Sequence, residues 1–274
     1  MPGEYDCSAE DQRSQARKLR ELSLDRELFN ECYAKTSRTV AIEESHVNKP
    51  DLQIRKLSAN APDAELFMEA DAALATTGNL YEESIRRGTG FFVRDDGLFA
   101  TVGHLVEPLG KELFVWTSDK QKRSAEIVAR DMSNDLVLLK VEKSHPDEKF
   151  PTLELGSSVG LKKGDELTGV GKLLPEKPLA PGETILNPGE FLGVYKDKNV
   201  GLSERLDYVN PERDMLRTAM RTESGNSGEP VFNKEHKVVA LSDYGEMSTP
   251  DGSYAETALV PVERLNELII SYGK

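Results

Sequence analysis

The chain has 274 residues, with 35 Lys and Arg against 48 Asp and Glu, for a formal net charge of −13. That balance argues against a nucleic-acid partner, which needs a positive surface. No run approaches the roughly 18 apolar residues of a membrane-spanning helix. With 38% hydrophobic and 30% charged residues, the core is confined to part of a chain long enough for one large domain or two.

Residues 1–8 read as a frayed end. Residues 9–36 read as a helix, with Leu19, Leu22, Phe29, Cys32 and Tyr33 near helical spacing. Packing on the following domain is the simplest role for it; a pro-segment, a docking arm or a self-association helix are the alternatives. Met1 to Arg20 lacks the apolar stretch of a secretory signal. This predicts a cytoplasmic protein, or else an exported one whose leader is absent from the sequence. Both cysteines, Cys7 and Cys32, lie in this segment, so the remainder is expected to fold without disulfides. Residues 44–62, polar and carrying Pro50 and Pro62, read as a linker.

From about residue 63 the chain turns strand-rich. Glu65–Met68 and Ala72–Thr76 are read as leading into a first barrel. Residues 88–106 read as strand, Asp96-Gly97 turn and strand, ending at His104. Strands are expected at 112–116 and 124–130, and then in the continuous apolar run that follows Asp135. Residues 143–150 form a polar crossover. In the second half, strands are expected at 164–171, 191–195, 237–242 and 257–262, with 214–220 leading into the serine loop, 229–232 leaving it, and a long proline-bearing loop over 172–190. Residues 262–272 read as a terminal amphipathic helix with Leu265, Leu268, Ile269 and Ile270 on its apolar stripe. Many short strands split by turns argue for barrels rather than an α/β sheet.

Three segments carry chemistry. In Glu223-Ser224-Gly225-Asn226-Ser227-Gly228-Glu229-Pro230 a serine sits between glycines that allow a tight turn. A serine hydroxyl needs a base to act as a nucleophile, and the base needs an orienting partner. Of the four histidines, His46, His145 and His236 lie in polar stretches, and only His104 closes an apolar strand. Asp135 opens a buried-type strand, where an unpaired carboxylate is costly. The rival Asp131 lacks such a strand. The histidines and cysteines are scattered, so no metal motif is found, and no phosphate-binding loop or dinucleotide fingerprint appears. No cofactor is expected.

These segments resemble the chymotrypsin-like serine proteases, with their triad in the order His, Asp, Ser, and within them the HtrA-type branch. The resemblance is carried by Gly88-Thr89-Gly90-Phe91-Phe92, Asp96-Gly97, His104-Leu105-Val106, Asp135-Leu136-Val137-Leu138-Leu139-Lys140 and Gly225-Asn226-Ser227-Gly228, and spans roughly residues 85–272. It implies an all-β fold of two six-stranded barrels, over about 63–145 and 150–274. Residues 1–62 would be a helical extension and linker, and a helix would close the chain. No PDZ module is expected behind the last strand.

It further implies His104, Asp135 and Ser227 as catalytic residues of a serine endopeptidase working through an acyl-enzyme. The N–H groups of Gly225 and Ser227 would form the oxyanion hole. Arg221, Thr222, Ser242, Asp243 and Tyr244 would line the substrate pocket, with Ser242 at a position that can support the triad aspartate. Substrates would be proteins or peptides. Glu229 replaces the family's second glycine after the serine. It is expected to point to solvent, pair with a loop arginine, act on the histidine or repel acidic substrates. A catalytically silent binding module and a zymogen restrained by residues 1–62 are the rival readings.

Overall fold

The run Leu136-Val-Leu-Leu-Lys-Val has no polar face, and both its faces are covered. In the computed structural model, which describes residues 64–81, 84–173, 182–199, 206–220, 222, 225–247 and 255–274, these residues form strand β6 (Leu136–Val141). Leu136 and Leu138 join a cluster shared with the second half of the chain, while Val137, Leu139 and Val141 point into the first barrel. Side chains alternate across a strand, so an unbroken apolar run is what a strand between two cores requires.

Six antiparallel strands close the first barrel in the order β1-β2-β3-β6-β5-β4. They are β1 (Leu74–Tyr81), β2 (Ser84–Arg94), β3 (Leu98–Val102), β4 (Glu112–Trp116), β5 (Lys122–Asp131) and β6. Phe92 stacks on Phe150 at 4.2 Å between ring centroids and meets Phe99 edge-on at 5.1 Å, filling the interior. The second barrel closes as β10-β11-β12-β9-β8-β7. Its strands are β7 (Glu166–Leu173), β8 (Glu183–Lys196), β9 (Asp214–Thr218), β10 (Pro230–Phe232), β11 (Val238–Met247) and β12 (Ala255–Pro261). Helix α2 (Val262–Tyr272) buries Val262, Leu265 and Leu268. Leu265 and Leu268 enter the shared cluster with Phe91, Leu98, Leu138, Val170, Phe232 and Leu241.

The double barrel and the terminal helix match the sequence reading. Two local expectations do not. Residues 64–73, placed in a strand-rich stretch leading into the first barrel, form helix α1 (Ala64–Ala73). Leu66, Ala70 and Ala73 all enter the shared cluster, a helical spacing, and alanine favours helix over strand. The 172–190 loop is largely replaced by strand. β8 pairs residue by residue with β7, from Glu166 opposite Glu190 to Leu173 opposite Glu183, with Pro188 facing Thr168. The calls on residues 1–62, the two cysteines included, fall outside the described residues.

Candidate active site

His104 sits in a one-turn helix, Gly103–Leu105, directly after β3. Asp135 directly precedes β6, which pairs with β3, so the strand register delivers the two side by side. The contacts are dense. His104 Nδ1 lies 2.6 Å from Asp135 Oδ2. The His104 backbone N–H donates to Asp135 Oδ1 at 2.8 Å, and Gly103 N–H donates to the Asp135 carbonyl at 2.8 Å. Asp135 is fully buried and left-handed, with φ 56° and ψ 40°. Aspartate tolerates that region better than most residues. A Cβ at position 103 would stand 2.8 Å from Asp135 Oδ1, so glycine is needed for the carboxylate to reach both backbone and ring. Asp131, the rival, caps the turn before Asp135, accepting from Asn134 N, Asn134 Nδ2 and Ser133 Oγ.

The serine loop is pinned to the first barrel through Thr89. The Thr89 N–H donates to the Ser227 carbonyl at 2.8 Å. Its hydroxyl donates to the Gly225 carbonyl at 2.7 Å and accepts from Lys172 N–H at 2.8 Å. Gly225 and Gly228 have φ of +110° and +86°, which L side chains resist. A Cβ at Gly88 would stand 2.3 Å from Leu105 Cδ1 and 2.8 Å from the Ser227 carbonyl, so the residue after His104 and the serine backbone converge on one glycine. Among the described residues, no hydrogen bond joins the Ser227 hydroxyl to His104; such bonds are often long before substrate binds. Nor does any backbone acceptor take the N–H of Gly225 or Ser227.

The pocket expectations divide. Thr222 Oγ1 lies 3.2 Å from Thr257 Oγ1, Tyr244 is half-buried, and Arg221 lies outside the described residues. Ser242 is buried, but its hydroxyl has no partner. The neighbour of the Asp135–His104 pair is instead Asp243. That residue was expected in the pocket, but its Oδ1 lies 3.6 Å from His104 Nδ1 and its Oδ2 accepts from Arg213 at 2.6 Å. Arg213 also contacts the buried Asp197 at 3.3 Å. Burial works against the guanidinium charge, but Asp243, Asp197 and Asp135 raise its pKa above the ordinary value.

Arg213 and Asp197 were not singled out from the sequence. The available signal was weak: Arg213 lies between Glu212 and Asp214, directly ahead of strand β9. His104, Asp135 and Asp243 present donor atoms within 4.8 Å of one another, close enough for a metal ion. Their hydrogen-bond and ion-pair partners already account for the arrangement, so it is read as a charge network.

Glu229 is likewise reassigned from the sequence expectation. It does not reach solvent or an arginine. It is fully buried, in space left by Gly169 and Gly171, whose Cβ atoms would stand 2.7 and 2.2 Å from its carboxyl oxygens. Asn187 Nδ2 donates to its Oε2 at 2.9 Å, and Oε1 has no partner. Burial raises its pKa to about 8 against the opposing Asn187 bond, so the carboxyl is largely protonated at neutral pH.

Two antiparallel six-stranded barrels, with a hydrogen-bonded His–Asp pair on one and a glycine-flanked serine loop on the other, define the trypsin-like class of peptidase folds. The chain belongs to the trypsin-like peptidase domain family, whose sequence profile matches residues 88–241. It is 32% identical over 156 residues, or 57% of its length, to a probable periplasmic serine endoprotease DegP-like from Chlamydia trachomatis, covering 28% of that protein. It is 28% identical over 183 residues, or 66% of its length, to the corresponding protein of Hahella chejuensis, covering 34% of it. The chain thus spans about a third of the length of these relatives. The solved structure of the HtrA-type protease AlgW with a tripeptide shares the fold, with a TM-score of 0.63 and 20% identity over 77% of this chain and 63% of that one.

Proposed function

We propose that the chain is a serine endopeptidase in which Ser227 is the nucleophile, His104 the general base and Asp135 the residue that orients the imidazole. The observation that carries this reading is the 2.6 Å contact between His104 Nδ1 and Asp135 Oδ2. It occupies the inner ring nitrogen and leaves Nε2 for the serine loop that Thr89 holds against the same barrel. Ser227 Oγ attacks the peptide carbonyl carbon as its proton passes to His104 Nε2. That proton then goes to the leaving amine as the C–N bond breaks. Water repeats the sequence on the acyl-enzyme and restores the serine. The N–H groups of Gly225 and Ser227 would receive the oxyanion.

The substrates are proposed to be exposed segments of proteins or peptides. The pocket is assigned to Thr222, Tyr244 and Arg221; the last would favour an acidic side chain. A peptide library cleaved only after small apolar residues would eliminate that preference. The periplasmic label carried by the relatives favours the exported alternative over a cytoplasmic protein. Residues 1–62 are read as an extension to the peptidase domain at 63–274. A chain starting at residue 63 with unchanged activity and unchanged sedimentation would remove both a zymogen role and a self-association role for that segment.

A fluorophosphonate probe tests the central claim. Wild-type protein is expected to label covalently and Ser227→Ala not at all. Failure of well-folded wild-type protein to label would favour a silent binding module.

A further inference from the structure

Three carboxyl groups, those of Asp135, Asp197 and Asp243, are fully buried around a single buried guanidinium, that of Arg213. If all three were ionised, two negative charges would stand uncompensated beside a neutral imidazole, an arrangement that low-dielectric surroundings resist strongly. Facing carboxyls in such a site keep a proton between them.

The hydrogen bonds indicate which oxygen carries it. Asp135 accepts from the His104 backbone N–H on Oδ1 and meets the ring Nδ1 with Oδ2, so both of its oxygens are already engaged. Asp243 Oδ2 accepts from Arg213, whereas Oδ1 makes no hydrogen bond among the described residues and lies 3.6 Å from His104 Nδ1. It belongs to a fully buried side chain, one carboxyl oxygen of which lies within 4.8 Å of ligand atoms of both Asp135 and His104. Buried polar atoms without partners are rare; Asp197 Oδ2 is another in this cluster, but Asp197 is not among the groups gathered on His104. A proton on Oδ1 would give Asp243 a donor facing the Asp135 carboxylate.

Resting on the triad reading above, we propose that Asp243 is a positioning residue: a neutral acid, clamped by Arg213, whose hydroxyl donates to Asp135 and holds that carboxylate on His104. It performs from the next position on β11 the supporting role that the sequence assigned to Ser242, whose own hydroxyl is unpartnered.

The other charged groups facing it agree. Burial and then the Asp135 carboxylate push Asp243 well above the usual carboxylate range, against the pull of Arg213. Asp197, beside β8, meets the same Arg213 Nη2 that Asp243 holds, at 3.3 Å. Tyr208 is pushed up by burial first and by Asp135 and Asp243 next, so it stays a neutral phenol. The segment 206–213 is fixed to the turn before Asp135 by Asn210 N–H donating to the Ser133 carbonyl at 3.0 Å. The Arg213 clamp is therefore held against the same turn that carries the triad carboxylate.

The test uses the full chain and two readouts. In the first, the second-order rate of fluorophosphonate labelling is followed from neutral to alkaline pH. Wild type is expected to lose rate in an alkaline step when Asp243 ionises and two like charges face each other. That step should persist in Glu229→Gln, which removes the other buried titrating carboxyl, and vanish in Asp243→Asn, a fixed neutral donor of the same shape. Asp243→Ala is expected to label at least about tenfold more slowly, the equivalent of one buried hydrogen bond, with the asparagine restoring most of the loss. An alkaline step unchanged in Asp243→Asn would overturn the proposal.

The second readout needs neither activity nor a change at position 243. In Ser227→Ala/Glu229→Gln protein, the infrared carbonyl band of a protonated carboxylic acid should persist at neutral pH and fade at alkaline pH. Its absence would overturn the proposal even if the Asp243 variants fail to fold. Persistence of the band, combined with well-folded wild-type protein that never labels, would instead sink the protease reading and leave the shared proton intact.

Discussion

The Thr89 backbone N–H in the first barrel donates to the Ser227 carbonyl in the second at 2.8 Å, and the Thr89 hydroxyl holds Gly225 of the same loop at 2.7 Å. One residue of β2 thereby fixes both ends of the tripeptide that presents the serine. Thr89→Val keeps the shape and the main-chain bond but strands two buried partners, the Gly225 carbonyl and the Lys172 N–H. Each unsatisfied group costs roughly 1–3 kcal/mol. The variant should lose about 2–4 kcal/mol of stability by urea unfolding and label more slowly than wild type in the conditions where it is folded.

Gly103 gives a sharper test of the His–Asp geometry. A methyl group there meets Asp135 Oδ1 at 2.8 Å and Met132 Cε at 2.8 Å. Gly103→Ala should displace the carboxylate from the imidazole while leaving the barrels intact. Misplacement of a catalytic group by about 1 Å can cost on the order of a hundredfold in rate. A labelling rate down by about ten- to a hundredfold, with a circular dichroism spectrum like wild type, is the expected result.

Glu229 couples stability to pH. Its folded pKa of about 8 stands above the ordinary value of 4.5, so the folded state holds a proton that the unfolded chain has released. Stability from this group is fully present below the unfolded value and declines as pH rises through the window from about 4.5 to about 8. The loss amounts to roughly 3–5 kcal/mol once the window is crossed. Glu229→Gln should flatten the dependence, with the advantage of the variant growing from acid to alkaline pH in denaturant midpoints. A wild-type stability that rises with pH across this window would contradict the buried neutral carboxyl.

Leu138 tests the shared core. It is fully buried in the cluster that joins both barrels and α2. Leu138→Ala should cost about 2–5 kcal/mol, read as a lowered thermal midpoint, and should destabilise both barrels rather than the first alone.

The features legible in the sequence were those written locally. A histidine at the end of an apolar strand, an aspartate at the start of another and a serine between glycines needed only their own neighbours to stand out, and β6 announced its two buried faces by having no polar one. Features assembled across the barrels were hidden. Arg213, Asp243 and Asp197 belong to three separate segments, and nothing within any of them signals the other two. Glu229 looked solvent-facing because the room it occupies is made by Gly169 and Gly171, some sixty positions earlier. α1 was not anticipated as a helix, for a different reason. Its spacing of Leu66, Ala70 and Ala73 was visible, but small alanines mark a buried helical face weakly, and the strand-rich stretch beyond it set the expectation.

The cluster that β6 shares with α2, β7, β10 and β11 has a mechanical implication. Two lobes that own a joint interior have no lubricated seam to slide along, so the mouth between them cannot widen by pivoting without exposing greasy surface. Heating should then produce one concerted collapse of both lobes.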